Sequence, residues 1–336
     1  MASGSGLSID VHMAPMRPFV GAASEGAGDQ PLWSPMSSSL ITGAEEAVLV
    51  DTLITFDQVD VLADWAERHD KRITAVLITH GHSDHWIGLG RLLERFPDAR
   101  GLATGKVLDR ARFEATDAGL QKYWHTCFPG EIPDSPVLPG LLEDGTFELD
   151  GHELQIIDVG QGDAEHSSLV YAPSIGAVVA GDVVYNQVHM MTAETDGASR
   201  AAWVANLDAI AALNPTTVVS GHKRVGAPDS PETIEQSQQV PARLQPHRGR
   251  PGDRGRHRRR HAGAARRPRQ SASAVVCSQA GGRQAQLNRA ISMTGAGCGA
   301  QPEFRMSSRS GAAHEPNSLQ NAPTSDAKHR RDKGTL

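Results

Sequence analysis

Hydrophobic periodicity runs along this chain as far as Gln239 and then stops. Before that point short apolar runs alternate with amphipathic stretches, the pattern of sheets covered by helices, so the fold class expected is α/β. After it, Val240-Pro241 leads into an Arg-, Pro-, Gly- and His-rich run with few large apolar side chains. Such a segment cannot bury enough surface to offset the entropy of ordering it. Residues 1–239 are therefore expected to form the folded domain, and 240–336 a basic, low-complexity, disordered tail. Charge divides at the same place, with 19 Lys+Arg against 5 Asp+Glu from 241 onward and 14 against 34 before it. The formal net charge of -6 hides an acidic body and a basic tail. Arg, Ala, Gly and Pro in this mixture are also what GC-rich coding DNA yields in a shifted frame, and a frameshift is the origin expected for the tail. Arg258, Arg259 and Arg260 would attract nucleic acid without specificity. No aromatic residues interleave with them, so nucleic acid is not an expected partner.

Other classes are excluded more simply. Cys127, Cys277 and Cys298 lie far apart, which gives neither a disulfide framework nor a thiolate zinc site and fits a reducing compartment. No stretch approaches the ~20 apolar residues that span a bilayer, and the N-terminus lacks the apolar run of a secretory signal. A cytoplasmic protein with no membrane partner is expected; its oligomeric state is not legible.

Several elements can be placed. Ser38 to Thr42 and Ala47 to Asp51 flank Gly43 as two strands joined by a tight turn. Asp57 to His69 sets Val59, Leu62, Ala63 and Trp65 on one helical face with Asp57 as the N-cap. Ile73 to Thr79 is a buried-strand run, Trp86 to Phe96 a helix closed by Pro97, and Phe147 to Val159 a hairpin turning at Asp150-Gly151. Ser168 to Ala172, Ala177 to Ala180 and Thr216 to Ser220 follow as strands, with a helix over Ser199 to Leu213. A helix opening at Pro231 is expected to be interrupted by Val240-Pro241, and His125 to Leu142 is expected to be a loop or lid near the site.

The strand over Ile73 to Thr79 ends at His80, and the next residues read His80-Gly81-His82-Ser83-Asp84-His85. Neutral imidazoles with a carboxylate suit zinc and neighbouring first-row metals, and alternate residues on an extended loop can aim two imidazoles at one ion. Asp84 and His85 then face a second ion beside it. Downstream, His166 in Asp163-Ala164-Glu165-His166-Ser167, Asp182 in Ala180-Gly181-Asp182 and His222 in Ser220-Gly221-His222 stand beside strand ends.

This H-x-H-x-D-H run and its ordered followers resemble the metallo-β-lactamase superfamily, over roughly residues 7 to 239. The resemblance implies an αββα sandwich holding two Zn2+, or other first-row divalent metals, per chain. It assigns His80, His82 and His166 to the first metal, Asp84, His85 and His222 to the second, and Asp182 as the bridge. Two such ions would acidify a shared water towards a pKa of about 7, with Asp84 orienting the nucleophile and handling its proton. Esters, thioesters, lactones, amides and phosphoesters all fit that apparatus, acting on a small-molecule substrate. β-Lactamases with this run generally lack the aspartate that Asp182 supplies and are exported, so antibiotic hydrolysis is not expected. Glyoxalase II shares the ligands but uses a helical C-terminal region to hold glutathione, and none is legible after His222. Tyr185, three residues after Asp182, is similarly spaced to a tyrosine of acyl-homoserine lactonases that helps hold the substrate carbonyl. The leading expectation is a two-metal hydrolase of a small carboxylic ester or lactone, with Asp84 and Tyr185 as catalytic residues. The alternatives are a phosphodiesterase, a mono-iron persulfide dioxygenase, or a catalytically impaired binding protein with a damaged C-terminus. His12, His69, His125, His152 and His189 are weaker candidates, and Trp33, Trp86 and Trp124 are read as packing.

Overall fold

A computed structural model describes residues 6–20, 31–116 and 121–244. The expectations for the tail, and for Cys277 and Cys298, lie outside the described residues. The chain begins with β1 (Ser8–Ala14), β2 (Arg17–Pro18), β3 (Leu32–Trp33), β4 (Met36–Thr42), β5 (Glu46–Val50), α1 (Phe56–Glu67) and β6 (Arg72–Leu77). Then come α2 (Ser83–Trp86), α3 (Leu89–Arg95), β7 (Arg100–Ala103), α4 (Gly105–Glu114), α5 (Gln121–Cys127) and β8 (Gly140–Leu141). The later part holds β9 (Thr146–Leu149), β10 (His152–Gly160), β11 (Ser167–Ala172), β12 (Ala177–Val179) and β13 (Tyr185–Asn186). It closes with α6 (Gly197–Ala212), β14 (Thr217–Val219), β15 (His222–Lys223) and α7 (Glu232–Arg243).

Two sheets carry the fold. One runs β13-β15-β4-β5-β6-β7-β8 with β1 also on β4, the other β14-β12-β11-β10-β9, and β2 pairs with β3 alone. The strands alternate their side chains between two faces, and both faces are apolar because both are covered. In β5, Val48 and Val50 enter the core between the sheets, while Ala47 and Leu49 pack against Leu62 of α1, Leu92 of α3 and Val107 of α4. In the second sheet Val170 and Val179 face inward, whereas Leu169, Val178 and Val218 face Trp203, Leu207 and Ile210 of α6 and Ile234 of α7. Helix, sheet, sheet, helix is the αββα sandwich that the resemblance implied.

Two features bear on the site. β5, β6 and β7 are parallel, so the loops after Val50, Leu77 and Ala103 leave one edge of the sheet together. Among the described residues the chain passes from the second sheet to the first twice, from β12 to β13 and from β14 to β15.

Some boundaries differ from expectation for local reasons. α1 is capped by Thr55, whose N–H donates to Gln58 Oε1 at 3.3 Å, and Asp57 sits in the first turn, where a negative charge complements the helix dipole. Ala66 takes the buried position expected for Trp65, whose ring rests on His69 and His12. The single helix expected over 86–96 is split into α2 and α3 at Ile87-Gly88, where a Cβ on Gly88 would stand 2.6 Å from the Leu53 carbonyl oxygen. α7 runs through Pro241 to Arg243, because the proline lies in the last turn, forfeits one carbonyl bond, and continues the buried stripe of Thr233, Ile234 and Ser237. The hairpin turns where expected, with Asp150 and Gly151 at φ 47 and 78 in the left-handed region. Within 125–142, residues 128–139 form a loop between α5 and β8, as expected, and its first part is packed: Phe128 stacks on Trp124, Ile132 joins the same helix-side core, and the Glu131 carbonyl accepts from the Phe56 N–H at 2.9 Å. No helix among the described residues is long and apolar enough to cross a membrane.

Candidate metal centre

The strand ends place the site. His80 follows β6, His82 opens the one-turn helix α2, and Asp84 and His85 lie within it. Asp163 comes from the loop between β10 and β11, Asp182 from a single 3-10 turn after β12, and His222 from β15. Among the described residues, three groups of side chains offer ligand atoms within 4.8 Å of one another: His80, His82 and Asp163; His80, His85 and Asp182; Asp84, His85 and His222. All of these residues are buried. Two glycines permit the approach. A Cβ on Gly221 would meet Asp182 Oδ1 at 2.2 Å, and Gly181, at φ 51, would put one 2.4 Å from Thr79 Oγ1.

Hydrogen bonds behind the rings fix which nitrogen faces inward. His222 Nδ1 lies 3.0 Å from the Pro35 carbonyl oxygen, which only accepts, so Nδ1 carries the proton. Asp51, just past β5, accepts from the Thr79 N–H at 2.8 Å and Oγ1 at 2.7 Å and lies 2.9 Å from His85 Nδ1. Because the Thr79 hydroxyl spends its proton on Asp51, its contact with His80 Nδ1 at 3.1 Å requires that nitrogen to donate. His80, His85 and His222 thus each turn Nε2 towards the cluster. His82 is held from both sides, with Nδ1 3.2 Å from Asp163 and Nε2 3.2 Å from Glu194. Arg110 of α4 braces Glu194 at 3.0 Å and Glu114 at 2.7 Å.

The electrostatics follow from burial and crowding. Burial with three neighbouring histidines holds His80 well below the usual imidazole range. Burial opposes the charged form of His82 too, but Asp163 and Glu194 outweigh it and hold its pKa well above 6.5. For His85, Asp182, Asp84 and Asp51 overcome burial and push the pKa up to about 10. Burial pushes Asp182 up to about 6 despite His222 and His85, while Asp84 is drawn far below the carboxylate range by His85 and His222 against its own burial.

Whether a metal fits is decided by atoms without hydrogen-bond partners. His80 Nε2, His85 Nε2, Asp163 Oδ1 and Asp182 Oδ1 are all buried and lack one. Such atoms are costly to bury, and here lone pairs and carboxylate oxygens converge. A divalent cation satisfies that arrangement, and the nitrogen and oxygen donor set suits first-row ions.

Of the seven ligands implied by resemblance, the structure brings together His80, His82, Asp84, His85, Asp182 and His222. His166 is not among these groups: its side chain is 42 % exposed, its φ is 66, and its Nε2 lies 3.8 Å from Glu165. Tyr185 is buried with its ring stacked on His222, and its hydroxyl donates to Asp182 Oδ2 at 2.7 Å and lies 3.1 Å from Asp163 Oδ2. His189 is exposed, while Trp33, Trp86 and Trp124 are buried in the core. Sequence reading missed Asp51, Asp163, Glu194 and Arg110. Asp51 carried a signal, as a carboxylate ending a buried strand parallel to the one that delivers His80; Glu194 and Arg110 carried none.

The αββα fold and a histidine-aspartate cluster at strand ends define a metallohydrolase-type scaffold. The Lactamase_B family model, described as the metallo-beta-lactamase superfamily, matches residues 32–222. The chain belongs to that superfamily. It is 28% identical over 147 residues to a hydroxyacylglutathione hydrolase of Parasynechococcus marenigrum (strain WH8102), covering 42% of this chain and 48% of that protein. The match thus spans about half of that relative's length. It is 25% identical over 209 residues to a metallo-beta-lactamase type 2 of Bacteroides fragilis, covering 61% of this chain and 75% of the relative. Among solved structures, a metallo-beta-lactamase from Pontibacter korlensis superposes with a TM-score of 0.51 at 16% identity, covering 72% of this chain and 97% of that one. That likeness concerns the fold.

Proposed function

We propose that the protein is a metal-dependent hydrolase that uses a two-metal site to turn water on a small carboxylic ester or lactone. The observation that carries this reading is the convergence of the four buried atoms without hydrogen-bond partners, on His80, His85, Asp163 and Asp182. Bound there, a pair of divalent first-row ions, zinc foremost, supplies an acidified water and an electrophile for the carbonyl oxygen.

The chain's own residues set the geometry. Asp51 and the Pro35 carbonyl hold His85 and His222 against rotation, so their Nε2 atoms are presented without reorganisation. Asp84, kept ionised, accepts the hydrogen bond of the attacking water, orients it, and passes a proton on rather than retaining it. Tyr185 shares its hydroxyl proton between Asp182 and an incoming carbonyl oxygen. Thioesters are the neighbouring substrate class, because relatives carry the name hydroxyacylglutathione hydrolase.

The test couples metal quantification on purified protein to a panel of lactones, esters, thioesters and phosphodiesters. About two ions per chain, lactone or ester turnover, and its loss on chelation are expected. Tyr185→Phe is expected to lower lactone kcat about 10-fold or more, and an unchanged rate removes that role. A second reading is favoured by one observation: His80, His82 and Asp163 make a two-histidine, one-carboxylate set, the pattern of non-haem iron oxygenases. A single iron per chain with no hydrolysis would select it.

A further inference from the structure

We propose that Asp163, not His166, completes the first metal site with His80 and His82. The inference rests on the two-metal reading above and says which residue closes one half of it. Asp163 has no exposed side-chain surface, and its Oδ2 lies 3.2 Å from His82 Nδ1 and 3.1 Å from the Tyr185 hydroxyl. Its other oxygen, Oδ1, is buried without a hydrogen-bond partner. Ligand atoms of His80, His82 and Asp163 fall within 4.8 Å of one another, close enough to share one ion.

The environment of His82 supports the same assignment. With Nε2 facing Glu194, which Arg110 clamps through both of its terminal nitrogens, Nδ1 is the nitrogen aimed at Asp163 and at any ion between them. A carboxylate backing one imidazole nitrogen fixes the ring and strengthens the other as a donor.

His166 lacks every one of these properties. Its ring is 42 % exposed, and the acid beside it, Glu165, is 75 % exposed. The backbone around it is already committed: Ser168 donates through N–H at 2.7 Å and Oγ at 2.8 Å to the Thr79 carbonyl, and Ser167 Oγ donates to the Ala164 carbonyl at 3.2 Å. Turning His166 inward would break the start of β11 where it clasps the residue before His80. Replacing an imidazole by a carboxylate adds one negative charge to the cluster. A harder donor set with more negative charge shifts preference from zinc towards manganese and iron.

The experiment measures metal content after dialysis of the full-length protein reconstituted with zinc and, separately, with manganese. Asp163→Asn, matched in shape, is expected to fall from about two ions to about one, and His166→Ala to keep both. Asp163→Cys loaded with cobalt is expected to gain a thiolate-to-cobalt absorption band in the near ultraviolet, and His166→Cys to show none. Circular dichroism identifies any variant that has failed to fold, and the His166 variants, altered at an exposed side chain, test the assignment independently. Two ions retained in Asp163→Asn, an ion lost from His166→Ala, or a cobalt band in His166→Cys overturns it. Wild-type protein that binds no metal overturns the two-metal reading as well, whereas two ions in both wild type and Asp163→Asn overturn this assignment alone.

Discussion

His80, His85 and His222 each give one ring nitrogen to a neighbour fixed in the backbone or core, so the other cannot turn away from the cluster. In the metal-free protein a proton must do part of the cation's work. The His85 pKa, pushed up to about 10 by Asp182, Asp84 and Asp51 against burial, means that this proton is held more tightly in the folded chain than in the unfolded one. Its stabilisation is therefore full below about pH 6.5 and is lost as pH rises through about 10. The melting temperature of metal-free protein is expected to fall between pH 7 and pH 10 for this reason, a trend that bound metal should suppress. Metal uptake at neutral pH should release protons, and calorimetry in two buffers of different ionisation enthalpy measures them. Identical heats in both buffers would contradict the arrangement.

At the scale of elements, α6 stands behind the second sheet and braces the site loops through Trp203 and through Asn206, whose Nδ2 donates to the Gln161 carbonyl at 2.8 Å. Trp203 is fully buried, and its Nε1 donates to the Val183 carbonyl at 2.8 Å, one residue beyond Asp182. Asp196 caps the helix by accepting from the Ala198 and Ser199 N–H groups, each at 2.9 Å. Trp203→Ala removes a large core residue at a cost of about 3 to 5 kcal/mol, a fall in melting temperature of about 10 °C. Scanning calorimetry checks it. Trp203→Phe, which keeps an aromatic ring but loses part of the indole and the bond to Val183, should cost less, about 2 kcal/mol.

Over the whole molecule, what was legible followed from periodicity and order. Short apolar runs marked several strands of each sheet because each of these is covered on two faces, and the amphipathic stretches supplied outer helices. The six gathered candidate ligands could be read as a set because they follow, beside strand ends, the order of the family that the chain resembles. Asp163 was overlooked although it lies three residues from His166 in the same motif, since choosing between them needs the backbone turn that exposes one and buries the other. Glu194 and Arg110 approach from distant loops and helices, where no local spacing signals a role. The reach of α7 past Gln239 was missed because a proline in a last turn reads as a stop, while its burial is a tertiary fact.

Both places where the chain passes from the second sheet to the first bring a candidate ligand with them, Asp182 on the first crossing and His222 just after the second. A cation held there together with the β6 loop would act as a clasp across the seam of the sandwich, closing chain segments far apart in sequence. Peeling the layers apart requires its release, so loaded protein should unfold more slowly than stripped protein, and protease digestion under native conditions would read the difference as a rate.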